Sequence, residues 1–183
     1  MATRVVPAPL AQLPNALTVL RLALIPLFIA LYLNAGDGSS WAAGWVFLVA
    51  GVTDQVDGFL ARRWHVESQF GKVADPLADR LMIDSAAILL ALEGKLPWVG
   101  AAIIVLRDAL LVAGYRLLMP RGYELNVTML GKIATWLLYL SVGILTVTGD
   151  GTKWPLWLFW FALGLALAAA AQYVVKARRE VAS

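Results

Sequence analysis

Six stretches of largely apolar residues alternate along the chain with short polar breaks, at about 15–34, 41–61, 79–96, 98–119, 130–149 and 154–175. A helix that crosses a hydrocarbon core of roughly 30 Å needs about 20 such residues. The pattern therefore predicts an all-α integral membrane protein of six transmembrane helices. The breaks carry turn chemistry, in Asn34–Ser40, Glu93–Pro97, Pro120–Gly122 and Gly149–Thr152. The longest connection, residues 62–78, falls between the second and third stretches. Residues 1–14 hold three prolines and Arg4 but no small-residue cleavage site, so they read as a surface segment rather than a signal peptide. No internal repeat is visible, and residues 1–183 read as a single membrane domain.

Composition agrees. Hydrophobic residues make up 61% of the 183, charged residues 15%, and the mean hydropathy is +0.75. Soluble domains carry roughly 45–50% apolar and about 25% charged residues, so much of this excess must face lipid. The absence of cysteine excludes disulfides, thiolate metal sites and cysteine nucleophiles, and a single histidine leaves little imidazole chemistry.

The net charge of +3 reads as topology rather than nucleic-acid binding. Arg4, Arg62, Arg63, Lys72, Arg80, Arg116, Arg121, Lys132, Lys176, Arg178 and Arg179 lie at or near one set of helix ends. Only Lys95 and Lys153 lie in the opposite loops. The positive-inside rule then places both termini in the cytoplasm. Trp41, Trp45, Trp98, Trp154 and Trp157 gather toward the other interface, as an aromatic belt does.

Ionisable groups at membrane depth are expensive and point to function. Asp54 and Asp57 stand three apart at the end of the second stretch; Asp75 and Asp79 stand four apart at the start of the third. Each spacing shares one helix face, so two helix ends can converge into a four-carboxylate cluster. Such a cluster repels itself unless cations bind or some groups protonate. Oxygen-only donors suit hard divalent ions, Mg²⁺ or Mn²⁺. Gly58 and Ala61 leave room beside Asp54 for a ligand, and Arg62 can pair with phosphate. Together these suit a metal-assisted displacement at phosphorus. The plainer alternative makes Asp75-Pro76 an ordinary helix start and Gly58 and Ala61 packing positions.

The run Asp54-x2-Asp57-Gly58-x2-Ala61-Arg62-x8-Gly71-x3-Asp75-x3-Asp79 resembles the signature of the CDP-alcohol phosphotransferases and matches all eight of its fixed positions. The resemblance implies a six-helix membrane enzyme, usually a homodimer, that moves a substituted phosphoryl group from a CDP-linked donor to an alcohol and releases CMP. It implies a pair of divalent ions held by Asp54, Asp57, Asp75 and Asp79. Asp79 would also act as the base, and Gly58, Ala61, Arg62 and Gly71 would hold the CDP moiety. The expected reaction lies at the cytoplasmic face of the cell membrane.

The opening Leu13-Pro-Asn-Ala-Leu-Thr18-Val-Leu-Arg21 resembles the branch that joins CDP-diacylglycerol to glycerol 3-phosphate, and equally the CMP-forming cardiolipin synthases, whose acceptor is phosphatidylglycerol. Arg21, Arg107 and Lys132 are candidate contacts for the acceptor phosphate; internal pairing, with Asp84, Asp108 or the cluster, is the alternative for the two arginines. Relatives that use glycerol 3-phosphate tend to carry Arg-Glu where this chain has Arg107-Asp108. Glycerol 3-phosphate is the leading acceptor and phosphatidylglycerol the second. A small ion transporter is the remaining class, but its paired, broken midplane helices are not visible. His65 and the run Trp154–Trp160 read as interfacial and lipid-facing. Lys176, Arg178 and Arg179 read as anchors at an anionic surface.

Overall fold

The computed structural model describes residues 13–36, 38–64, 69–118, 129–149 and 151–182, through which six helices run. They are α1 (Leu13–Leu33), α2 (Trp41–Trp64), α3 (Gln69–Leu92), α4 (Trp98–Leu118), α5 (Met129–Val147) and α6 (Trp154–Ala182). Local chemistry sets several of these ends. Ser40 caps α2 by accepting a hydrogen bond from the Ala43 amide at 3.1 Å. At the end of α3 the chain turns through Gly94 with φ 75°, while the Lys95 amide donates back to the Leu90 carbonyl at 2.9 Å. This is a Schellman ending, and its left-handed position favours glycine.

Three connections meet at one end of the bundle. The Tyr32 hydroxyl donates to the Gly38 carbonyl at 2.9 Å, and the Ser40 amide donates to the Thr146 carbonyl at 2.9 Å. Lys95 Nζ donates to the Thr148 carbonyl. Helices α2, α4 and α6 therefore start at this end, and α1, α3 and α5 finish there. Trp41, Trp98 and Trp154 are the first residues of those three helices, and with Trp45 and Trp157 they are exposed.

Helices α1 and α2 pack along their length, as do α5 and α6; α3 touches α1, α2, α4 and α5. The core is built from stripes at helical spacing. Ala43, Phe47 and Ala50 form the buried stripe of α2, Ile83, Ala86 and Leu90 that of α3, and Ala134, Leu138 and Leu145 part of that of α5. Phe47 links α2 to α1 and α5, with its ring 5.7 Å from Phe28 and 5.2 Å from Tyr139. Alanine and glycine at these contacts let the helix backbones approach closely. A Cβ on Gly44 would stand 2.3 Å from Val147 Cγ1, across the α2–α5 contact. Gly44→Leu should accordingly lower stability by about 1–3 kcal/mol, as overpacking does, and show as a reduced melting temperature in detergent.

Large apolar side chains such as Val19, Leu27, Leu48, Leu106 and Leu110 face outward. By length and composition α1, α5 and α6 can cross a membrane, over Ala16–Leu33, Met129–Val147 and Trp154–Gln172. One expectation changes. Helix α2 continues to Trp64 and α3 begins at Gln69, so the supposed connection 62–78 is mostly helix. Asp75-Pro76 therefore does not start a helix; it lies within one. Gln69–Asp79 is too polar for an apolar pattern to reveal.

Candidate functional site

The side chains of Asp54, Asp57, Gly58, Ala61, Arg62, Gly71, Asp75 and Asp79 lie outside the described residues, but their places on the helices do not. On α2 the buried stripe runs Ala43, Phe47, Ala50. Continued at steps of three and four, it passes through positions 54, 57, 58 and 61. On α3 the buried residues Ile83, Ala86 and Leu90 follow position 79 at four, seven and eleven residues, and position 75 lies one turn before it. Six of the eight signature positions thus continue the inward stripes of two helices in contact with each other. Four of the six are carboxylates, and neither stripe carries a nitrogen or sulfur donor. That donor set fits a hard divalent cation. Among the described residues no group of three or more acids and histidines gathers for a metal.

A second layer of charge is described. Asp108 of α4, 2% exposed, forms an ion pair with Arg80 of α3 and another, at 3.0 Å, with Arg107. Asp84 lies one turn beyond Arg80, and its Oδ1 is buried without a hydrogen-bond partner among the described residues. Arg21 of α1 is completely buried, as is Thr18, one turn before it. At a rise of about 1.5 Å per residue, Asp108 stands roughly 15 Å along α4 from Trp98, near the midpoint of that helix. Breaking a buried pair by removing one partner costs about 3–5 kcal/mol.

Of the three acceptor candidates, Arg21 and Arg107 are buried within the bundle, while Lys132 is exposed on α5, off the stripe of Gly131, Ala134 and Leu138. Arg107 is engaged by Asp108, so internal pairing is present there. Arg80 is the residue that sequence reasoning undervalued. Counted among the topology-setting charges, it is tied instead to the middle of α4. Its signal was available in the α3–α4 hairpin, which brings 80 and 108 to one level once the ends at Leu92 and Trp98 are known.

Residues 11–168 match the family described as CDP-alcohol phosphatidyltransferase. The chain belongs to that family. It is similar to a CMP-forming cardiolipin synthase of Streptomyces coelicolor, 38% identical over 156 residues that cover 83% of this chain and 72% of the relative. It is similar also to a CDP-diacylglycerol–glycerol-3-phosphate 3-phosphatidyltransferase of Bacillus subtilis, 36% identical over 147 residues, covering 73% and 76% of the two chains. A protein of the same description from Shigella flexneri is 30% identical over 165 residues, covering 79% of this chain and 91% of the relative. This CDP-alcohol phosphatidyltransferase is thus an enzyme of phospholipid biosynthesis, from a membrane-associated family that is in general divalent-metal dependent. Its apolar helices agree with an integral membrane protein.

Proposed function

We propose that the enzyme transfers the phosphatidyl group of CDP-diacylglycerol to the primary hydroxyl of glycerol 3-phosphate, forming phosphatidylglycerophosphate and CMP. The observation that carries this reading is the register of Asp54, Asp57, Asp75 and Asp79 with the buried stripes of α2 and α3. Those four carboxylates would hold a pair of divalent ions, Mg²⁺ or Mn²⁺, which when bound neutralise the donor's pyrophosphate. Gly58, Ala61, Arg62 and Gly71 hold the CDP moiety. Small residues admit the ligand against the α2 backbone, and the Arg62 guanidinium meets phosphate oxygens.

Asp79 takes the proton of the acceptor hydroxyl. The acceptor oxygen forms its bond to the phosphorus that bears diacylglycerol. The bond from that phosphorus to the bridging oxygen breaks, and its electron pair leaves with CMP. Arg21, Arg107 and Lys132 supply positive charge for the acceptor phosphate. We place the site at the cytoplasmic face of the cell membrane, with six spans, both termini inside, and the tryptophan-lined end outside. The assembly is a homodimer.

A second reading has phosphatidylglycerol as acceptor and cardiolipin as product. The Arg107–Asp108 pair favours it, because a guanidinium already partly neutralised by a carboxylate can balance a singly charged phosphodiester better than a phosphomonoester dianion. Purified enzyme with CDP-diacylglycerol and Mg²⁺ distinguishes the two. CMP release is expected with glycerol 3-phosphate; release only with phosphatidylglycerol makes the enzyme a cardiolipin synthase. Release with neither acceptor would overturn both readings. Arg62→Ala is expected to raise the donor KM about tenfold or more, the loss expected of a charge-assisted phosphate contact, with a smaller effect on the acceptor KM. An unchanged donor KM would remove Arg62 from the donor site.

A further inference from the structure

The geometry points to Asp108 as a positioning residue, whose carboxylate, shared by Arg80 and Arg107, fixes the rotation of α3 that keeps Asp79 in the catalytic register. The inference rests on the proposed role of Asp79. Arg80 is the next residue after Asp79, and successive residues on a helix are turned by about 100°. Position 79 is in helical register with Ile83, Ala86 and Leu90, which are buried. Arg80 lies at the edge of that face, with 29% of its side chain exposed, and reaches across to α4. Its partner is a carboxylate with 3% exposure and no freedom to follow it.

A guanidinium anchored this way resists both rotation and sliding of α3. The α3 residues near Asp79 have few other means to do so. Met82 and Ile83 pack there, and Ala78, Ala86 and Ala87 are buried, but apolar packing is non-directional, and the ion pair supplies the directional contact. Arg107 Nη1 lies 3.0 Å from the same carboxylate oxygen, Oδ1 of Asp108. The arrangement joins two guanidiniums from two helices through one acid.

The plainer role for Asp108 is to neutralise charge in lipid. The two roles separate in one experiment on the full-length enzyme in detergent micelles, following melting temperature, kcat, and KM for donor and acceptor. Asp108→Asn is expected to lower kcat by about 100-fold, the effect of a displacement near 1 Å at a reacting group, with the donor KM little changed. Asp108→Glu restores the carboxylate one methylene longer and should recover much of that loss. The double variant Arg80→Gln/Asp108→Asn removes one charge of each sign. It should regain part of the melting temperature lost in Asp108→Asn, since Arg107 still lacks the carboxylate, without regaining kcat.

Recovery of kcat by the double variant would overturn the positioning role and leave neutralisation alone. So would parental kcat in Asp108→Asn. Should Asp108→Asn fail to fold, the Glu variant and the double variant decide in the same way. A parent enzyme that releases no CMP with either acceptor overturns the reading of Asp79, and the inference with it. An active parent with unaffected Asp108 variants overturns the inference only.

Discussion

Asp79→Asn should reduce CMP release by about 10²–10⁴-fold, the range that a positioned general base contributes, while the protein keeps its fold. Asparagine has nearly the same shape as aspartate, so a position in register with Ile83, Ala86 and Leu90 can accept it without repacking α3. It cannot take the proton of the acceptor hydroxyl. The loss should appear in kcat with either acceptor, and the donor should still bind, because Gly58, Ala61 and Arg62 lie on α2. Asp84→Asn is the internal comparison. It changes an acid on the same helix five residues deeper, off the Asp79 stripe, and should keep most of the activity. Equal loss in both variants would mean that any charge removed from α3 disables the enzyme. Activity within about tenfold of the parent in Asp79→Asn would be too high for a missing base.

How much of this was legible in the sequence depends on which physical signal each residue carried. Apolar length is a strong signal, and the starts of α2, α4 and α6 at Trp41, Trp98 and Trp154 agree with the expected 41, 98 and 154. Spacing is a strong signal too. The three- and four-residue intervals between the aspartates predicted shared faces, and the helices through 54–57 and 75–79 have the periodicity that this required. Polar helix is a weak signal. Gln69–Asp79 has neither an apolar run nor a clean turn, and Pro76 resembles a boundary, so the first ten residues of α3 were hidden.

That single misreading had a consequence for chemistry. A helix starting at Asp79 puts Arg80 at the membrane surface, where a cation needs no partner. A helix starting at Gln69 puts Arg80 three turns inside, where it needs one, and Asp108 supplies it. The pairing crosses 28 residues of sequence and joins two helices, so local spacing could not reveal it. The burial of Arg21 and the exposure of Lys132 were likewise beyond reach. Both residues flank apolar sequence, and only the stripes of α1 and α5 separate them.

Asp57→Asn should change activity and stability in opposite directions. In the proposed site, four carboxylates from α2 and α3 would repel one another when no cation lies between them. Removing one charge relieves part of that repulsion, and the buried stripe of Ala43, Phe47 and Ala50 that leads to position 57 is untouched. In chelator-treated protein the melting temperature of Asp57→Asn should therefore equal or exceed that of the parent. Added Mg²⁺ or Mn²⁺ should raise the parent's melting temperature and raise the variant's less, since a ligand stabilises the state that binds it. Activity should fall by about 100-fold or more, because the proposed carboxylate set, which would orient the donor pyrophosphate, is then incomplete. A packing role for Asp57 predicts the reverse pattern: a lower melting temperature with or without metal, and activity lost only in proportion to unfolded protein. The sign of the melting shift under chelation thus separates an acid kept for chemistry at the expense of stability from one kept for the fold.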